Sequence, residues 1–189
     1  MRLSLRTPVL AISLLLATTL CATAFASSAS AAGGGCPSAK VAPSNLSKQE
    51  AQKSILCLIN KERASHGLGK VDTQGDAGTA ARQHTRLMIR SNCFSHQCPG
   101  ERELVSRMEQ ADYLPCNCYW GVGENLAYGE GSYGSPQSIM EAWMNSSAHR
   151  MNILNKDFEH VGIGIVWGTP DSGSARSSAT YTTDFGYRS

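Results

Sequence analysis

Residues 160–167 have the sequence His-Val-Gly-Ile-Gly-Ile-Val-Trp, and their β-branched side chains predict a strand. Gly162 and Gly164 alternate with Val and Ile, so one face of this strand carries almost no side chain. Such a face lets a helix or another layer approach the backbone closely. A second strand is predicted over 180–185, Thr-Tyr-Thr-Thr-Asp-Phe.

Helical patterns occupy most of the chain before these strands. Residues 47–50, Ser-Lys-Gln-Glu, form a capping-box pattern, and the helix that it begins is expected to end near Gly67. Further helical segments are predicted over 77–91, over 101–111, from Ser135-Pro136 onward and over 150–154.

The Gly-rich residues 112–135 predict a loop, interrupted by a short strand at 125–128. Helices followed by strands, without βαβ alternation, indicate an α+β fold with an antiparallel sheet.

The N-terminus has the layout of a secretory signal peptide. Arg2 and Arg6 precede an apolar run over 9–16, and Ala29-Ser30-Ala31 suits cleavage. We therefore predict a signal peptide over 1–31, a flexible Gly/Ser/Pro linker over 32–46 and one folded domain over 47–189. The expected location is extracellular or at the cell surface, and the cleaved chain is not expected to be an integral membrane protein.

Composition excludes some classes of partner. The formal net charge of +2 falls to about zero once the signal peptide is removed, because that peptide holds two Arg and no acid. The sequence has no basic stripe with interleaved aromatic residues, so nucleic acid is not an expected partner.

Seven cysteines become six when Cys21 leaves with the signal peptide. An even set in an exported chain predicts disulfides, although the sequence does not choose among the pairings. Cys93 and Cys98 are close enough to pair across a loop. A zinc site built from Cys93, Cys98, Cys116 and Cys118 is the competing interpretation, which their spacing disfavours. The expected disulfide cysteines are Cys36, Cys57, Cys93, Cys98, Cys116 and Cys118.

Three polar residues are candidates for chemistry: His96, Glu124 and His149. Two neutral imidazoles and a carboxylate can form the first shell of a transition metal, and the same groups can act in proton transfer. A Ser-His-Glu arrangement with Ser95 or Ser147 is a weaker alternative, since neighbours in sequence need not share a hydrogen bond. Each of the three can also be a structural residue with its hydrogen bonds satisfied.

The segments that carry these residues are 94–96 (Phe-Ser-His), 123–125 (Gly-Glu-Asn) and 143–150 (Trp-Met-Asn-Ser-Ser-Ala-His-Arg). In this order they resemble the bacterial branch of the CAP superfamily, which includes cysteine-rich secretory proteins, venom allergens and plant pathogenesis-related proteins. The similarity extends over roughly residues 50–187 and includes 161–164 and 184–186 as closing strands.

The resemblance implies a three-layer α-β-α sandwich with a central antiparallel sheet. It also implies a cleft where two His and two acidic residues meet, which in some relatives binds a divalent metal such as Zn²⁺. His96, Glu124 and His149 match three of the four positions, as catalytic or metal-ligating residues. The fourth acid is replaced by Ser146, so the tetrad is incomplete.

Three functions are consistent with these features. The first is a secreted domain whose His-Glu-His cleft binds a lipid, a peptide or a cell-wall fragment, directly or through a metal. The second is a metal-assisted peptidase or esterase with Glu124 as general base. The third is a structural or interaction domain that disulfides stabilise. We expect the first to describe this chain best, because the tetrad is incomplete and a recognisable nucleophile motif is missing.

Overall fold

The computed structural model describes residues 35–114, 119–173 and 175–189. Two short 3-10 helices, Pro43–Asn45 and Gly131–Gly134, accompany the main elements of this part of the chain. The α-helices and β-strands, in chain order, are α1 Lys48–Ser65, β1 Asp72–Thr73, α2 Gly75–Arg90, α3 Leu104–Gln110, β2 Trp120–Glu130, α4 Pro136–Asn145, α5 Ser147–Ile153, β3 His160–Trp167 and β4 Ser178–Arg188.

The strands form one sheet in the order β1-β3-β4-β2. β4 pairs antiparallel with both β2 and β3, whereas the two residues of β1 pair parallel with His160 and Val161 of β3. The sheet is therefore mixed, and the prediction of an antiparallel sheet holds for its three long strands. The side chains of Ile55, Trp143 and Ile153 pack with one face of this sheet.

The opposite face of β3 carries the two glycines that the sequence singles out. A Cβ atom on Gly162 would lie 2.1 Å from the backbone carbon of Ala77, and one on Gly164 would lie 2.5 Å from that of Ala81. Helix α2 therefore rests directly on the strand backbone, as the glycine pattern predicts. The result is a three-layer α-β-α sandwich, with α1, α4 and α5 on one face and α2 and α3 on the other.

Strand β2, Trp120–Glu130, includes the short strand expected over 125–128 and extends it in both directions into the loop predicted over 112–135. It pairs residue for residue with β4, from Trp120 opposite Arg188 to Glu130 opposite Ser178. Its glycines serve close packing: a Cβ on Gly121 would lie 2.6 Å from the ring of Tyr187. The part of the predicted loop that β2 occupies was wrong. Glycine is equally common in turns and where another group packs closely on a strand, and only the pairing with β4 shows which case applies here.

The outer edge of β2 is closed by side chains from the helices. The indole Nε1 of Trp143 donates to the carbonyl of Leu126 (3.0 Å), and the Asn152 amide donates to the carbonyl of Glu124 (3.1 Å). These bonds satisfy carbonyls that an edge strand otherwise leaves open to another chain.

Several helix boundaries follow the sequence signals. The capping box of Ser47 and Glu50 is present, and Gly67 has a φ of +70° just beyond the end of α1. Ser135 caps α4 by accepting a hydrogen bond from the Ser138 backbone N–H, and Pro136 is the first residue of that helix.

The segment 35–46 packs on the domain, in contrast to the flexible linker expected there. Cys36 is disulfide-bonded to Cys57 of α1, and Leu46 is buried in the core. The Arg176 guanidinium donates to the carbonyls of Pro43 and Leu46. Residues 1–34, which include the predicted signal peptide, lie outside the described residues.

A second disulfide joins Cys93 and Cys98, one of the pairings that their spacing allowed. Since both sulfurs are in this bond, the competing zinc-thiolate site is excluded. Cys116 and Cys118 lie outside the described residues. No helix in the described part of the chain is both long and apolar enough to cross a membrane.

Candidate functional site

Two of the predicted site residues, His96 and Glu124, are in direct contact. His96 lies in the loop that the Cys93–Cys98 disulfide closes, and its Nδ1 is 2.8 Å from the Glu124 Oε1. The His96 side chain is 63% exposed, whereas that of Glu124 is 2% exposed. Glu124 is thus a buried residue that is hydrogen-bonded to an exposed imidazole. It lies within β2, whereas the sequence predicted a loop at this position.

Arg107 of α3 holds the other oxygen of Glu124. The Arg107 Nη2 donates to Oε2 at 2.5 Å, and its Nη1 donates to the carbonyl of His96 at 2.7 Å. One guanidinium therefore positions both the Glu124 carboxylate and the loop that carries His96. Such charge-assisted bonds are among the stronger ones in proteins.

The third neighbour of Glu124 is His84 of α2, which is fully buried. Its Nδ1 is 2.7 Å from a carboxylate oxygen of Glu101, and its Nε2 is 3.8 Å from the Glu124 Oε2, too far for a hydrogen bond. The burial of His84 agrees with its place on the apolar face of α2. Its hydrogen-bond partner, the Glu101 carboxylate, is not indicated by the sequence.

Asp184 lies directly opposite Glu124 in the β2–β4 pairing and is fully buried. Neither Asp184 oxygen accepts a hydrogen bond within the described part of the chain. Burial and the charge of Glu124 raise the pKa of Asp184 well above its ordinary value. A neutral Asp184 can donate a hydrogen bond to Glu124. An ionised Asp184 would instead repel the negative charge of Glu124, with no hydrogen bond to offset the repulsion.

Opposing effects act on Glu124. Burial raises its pKa, but the hydrogen bond from His96 and the charges of Arg107 and His84 outweigh burial, so the pKa lies below its ordinary value. The same hydrogen bond raises the pKa of His96. The inner carboxylate is therefore ionised at neutral pH, and His96 keeps its proton to a higher pH than a free imidazole does.

His149 lies on α5, and within the described residues no hydrogen bond joins its side chain to His96 or Glu124. Its backbone carbonyl accepts a hydrogen bond from the Asn125 side chain at 3.0 Å, which ties α5 to β2. Burial lowers the pKa of His149, and the charge of nearby His96 lowers it further. The pKa values of the two imidazoles are therefore shifted in opposite directions.

The three residues do not form the expected three-ligand metal site. Both Glu124 oxygens are already engaged by His96 and Arg107, and a guanidinium in contact with the carboxylate repels a divalent cation. Within residues 35–114, 119–173 and 175–189 no group of three His, Cys, Asp or Glu side chains is arranged to hold a metal ion.

The serine alternative also lacks support from the geometry. In the described portion of the molecule, no serine hydroxyl is hydrogen-bonded to His96 or His149; the Ser95 hydroxyl accepts from the Gln97 backbone. Ser146, which replaces the fourth acid, lies between α4 and α5, where its N–H donates to the Trp143 carbonyl.

Sequence reasoning missed the inner layer of the site, formed by Arg107, Glu101 and Asp184. Arg107 lies on a short helix with ordinary spacing, and nothing in the sequence marks it. Asp184 carried a usable signal, since Asp is unfavourable inside a strand and lies here between Thr183 and Phe185.

Comparisons with known proteins identify the family of this chain. The model of the cysteine-rich secretory protein (CAP) family matches residues 56–183. The protein YkwD of Bacillus subtilis (strain 168) is 35% identical over 125 residues, which cover 66% of this chain and 45% of that protein. This chain thus spans less than half the length of that curated relative.

Solved structures share the fold. An outer surface protein of Borrelia burgdorferi superposes with a TM-score of 0.62 at 17% identity, covering 76% of this chain and 97% of that one. An extracellular protein of Bacillus anthracis with an SCP domain superposes with a TM-score of 0.57 at 24% identity, covering 74% of this chain and 43% of that one. From the family match over most of its length, the chain belongs to the cysteine-rich secretory protein (CAP) family.

Proposed function

We propose that this protein is an exported binding protein that holds a cell-wall glycan fragment between His96 and His149. The observation that carries the proposal is the sequestration of Glu124, whose two oxygens are both engaged and whose side chain is 2% exposed. A general base needs a free oxygen that water can reach, so this carboxylate is suited to orient His96 and not to activate water.

The exposed imidazole supplies a polar contact for a ligand. Because the His96 Nδ1 faces Glu124, its Nε2 is the nitrogen left for a ligand. A protonated ring donates from Nε2 to an acetamido carbonyl or a hydroxyl, while neutral His149 can accept. One donor and one acceptor close together suit an uncharged polar ligand such as a sugar.

Exposed aromatic rings adjoin the imidazoles. Phe94, two residues before His96, packs edge-to-face on Tyr128 with 4.8 Å between ring centroids. Phe94 is 47% exposed and Tyr128 is 40% exposed. Aromatic side chains beside a few convergent polar groups are the usual composition of small-ligand sites, and such rings pack against the apolar faces of sugars.

Export is the second part of the proposal. The N-terminal sequence has the layout of a signal peptide, and disulfides such as Cys36–Cys57 persist in oxidising compartments. Two structural relatives are an outer surface protein and an extracellular protein.

The test is an NMR titration of the ¹⁵N-labelled protein with an N-acetylglucosamine tetramer. We expect shifts at His96, His149 and Tyr128, and about a tenfold weaker affinity in a His96→Ala variant. His66→Ala is the matched control, because His66 is exposed at the end of α1 and far from this site in the sequence. Shifts confined to other residues, or equal affinity in the His96→Ala and His66→Ala variants, would refute the proposal.

A further inference from the structure

A cavity of about 320 Å³ lies at the β1–β3 edge of the sheet, and neither imidazole of the proposed glycan site lines it. Helix α1 contributes Gln52, Lys53 and Leu56 to its wall, which share one helix face by their spacing. Helix α2 contributes Gly78 and Arg82 from the other layer of the sandwich. The cavity therefore opens at the side of the molecule, where the two helical layers meet the sheet edge.

The charged residues of this cavity are all basic. Lys53 and Arg82 line it, no acidic side chain does, and neither residue forms an ion pair within the described residues. The Arg82 guanidinium donates to the Gly78 carbonyl and to the Thr79 hydroxyl, both at 3.1 Å. These two bonds fix its position and leave further N–H groups for an anion.

Acidic residues of the same elements do not neutralise these charges directly. The Glu50 carboxylate accepts hydrogen bonds from Ser47 in the capping box. The Asp76 carboxylate accepts one from the Gln74 side chain. Hydrogen bonds from Ser47 lower the Glu50 pKa, and Glu50 lies close enough to Lys53 for that charge to help lower it, but the Glu50 and Lys53 side chains form no ion pair, so the ammonium group stays available to a ligand.

The remaining wall combines apolar and amide groups. Leu56 and the small exposed part of Ile163 supply apolar surface, and the Gln52 amide donates to the Ile163 carbonyl at 2.9 Å. β1 pairs only with His160 and Val161, so Ile163 lies beyond the end of β1 on this edge of β3. Amide groups beside an open strand edge are suited to hydrogen-bond the backbone of a peptide.

We propose that this cavity binds the C-terminal carboxylate of a peptide that ends in a small apolar residue. The carboxylate pairs with Arg82 and Lys53, the terminal side chain contacts Leu56, and the preceding amide bonds to the side chains of Gln49 and Gln52. The volume is near the lower end of the roughly 300–1,000 Å³ that is usual for ligand sites, so it admits a chain end and no folded partner.

The experiment is an NMR titration of the full chain with N-acetyl-Ala-Ala and, separately, with its C-terminal amide. The two probes have nearly the same shape and differ by the negative charge. We expect the acid to shift the backbone amides of Gly75 and Gly78, which line the cavity, and the amide probe to bind at least about tenfold more weakly.

A Lys53→Gln/Arg82→Gln variant is expected to lose at least about tenfold in affinity for the acid. Lys70→Gln/Arg86→Gln is the control, since it removes two positive charges from the same part of the chain without touching the cavity, and it should bind as the parent does. If acetate displaces the peptide completely when both are at the same concentration, the cavity is a simple anion site, and this result would overturn the peptide assignment. Equal affinity for the acid and the amide probe, or no binding, would also overturn it.

Discussion

Glu124 is the residue on which the candidate site depends. It contacts the exposed His96, the buried Arg107 and the buried Asp184, so it links the surface imidazole to the interior. A carboxylate so placed has a structural and a positioning role at once. Its removal should therefore affect the stability of the fold and the ionisation of His96 together.

Glu124→Gln is expected to lower the free energy of unfolding by about 3 kcal/mol, because it leaves the buried Arg107 cation without its counter-charge. Urea denaturation measures this loss. Glu109→Gln is the matched control, since Glu109 is exposed on the same helix, α3, and should change stability little. Equal stability of the two variants would show that Arg107 does not need the Glu124 charge.

The two site imidazoles should titrate on opposite sides of the ordinary value of 6.5. The His96 pKa is raised, so its contribution to stability is complete below 6.5 and is lost as pH rises through the folded value. The His149 pKa is lowered, so its contribution is present above 6.5 and is lost as pH falls through the folded value.

NMR titration of the imidazole C–H signals tests this separation, and Glu124→Gln should return the His96 pKa toward 6.5. A pKa for His96 that lies at or below that of His149 would contradict the hydrogen bond to Glu124.

At the scale of elements, glycine determines how the layers meet. α2 rests on Gly162 and Gly164 of β3, and the ring of Tyr187 covers Gly121 of β2. The same residue type that suggests turns in the sequence therefore marks surfaces of close contact in the structure. The helices also close the β2 edge through Trp143 and Asn152.

Gly164→Ala should destabilise the fold by about 3 kcal/mol, because its Cβ would lie 2.5 Å from the backbone of Ala81 and α2 would have to move. Thermal unfolding followed by circular dichroism measures the effect. Gly69→Ala is the matched control, since a Cβ there meets no atom within 4 Å. A Gly164→Ala protein as stable as the control would mean that α2 does not lie against β3.

At the scale of the whole molecule, the segment 35–46 packs against the core of the domain. The Cys36–Cys57 disulfide, the buried Leu46 and the Arg176 guanidinium each hold it in place. Arg176 also lies 4.4 Å from the ring of Trp167, so the segment, the loop before β4 and the end of β3 form one unit.

Replacing both Cys36 and Cys57 with Ser should reduce the free energy of unfolding by about 3 kcal/mol, because a cross-link over 21 residues restricts the unfolded chain. Urea denaturation of the oxidised proteins measures this. Replacing Cys93 and Cys98 in the same way opens a loop of only 5 residues and should cost less. A larger loss from the shorter loop would contradict the entropic account.

Local signals predicted a large part of this fold. The capping box at Ser47, the Ser135-Pro136 start of α4 and the glycine face of β3 each depend on neighbours in the chain. Local patterns predicted only the 125–128 part of β2, because the surrounding glycines indicated a loop, and they failed for the segment 35–46. In both cases the stabilising partners, β4 and the core around Leu46, are distant in sequence.

The sequence by itself determined the helix starts, the glycine-faced strand and the candidates His96, Glu124 and His149, because short-range spacing and residue type define them. Only the tertiary structure decided that Glu124 is buried between Arg107 and Asp184, and that His96 alone of its partners faces solvent. The physical reason is that a carboxylate acquires its role from the charges and the burial around it, and strand pairing and helix packing bring those groups together from distant parts of the chain.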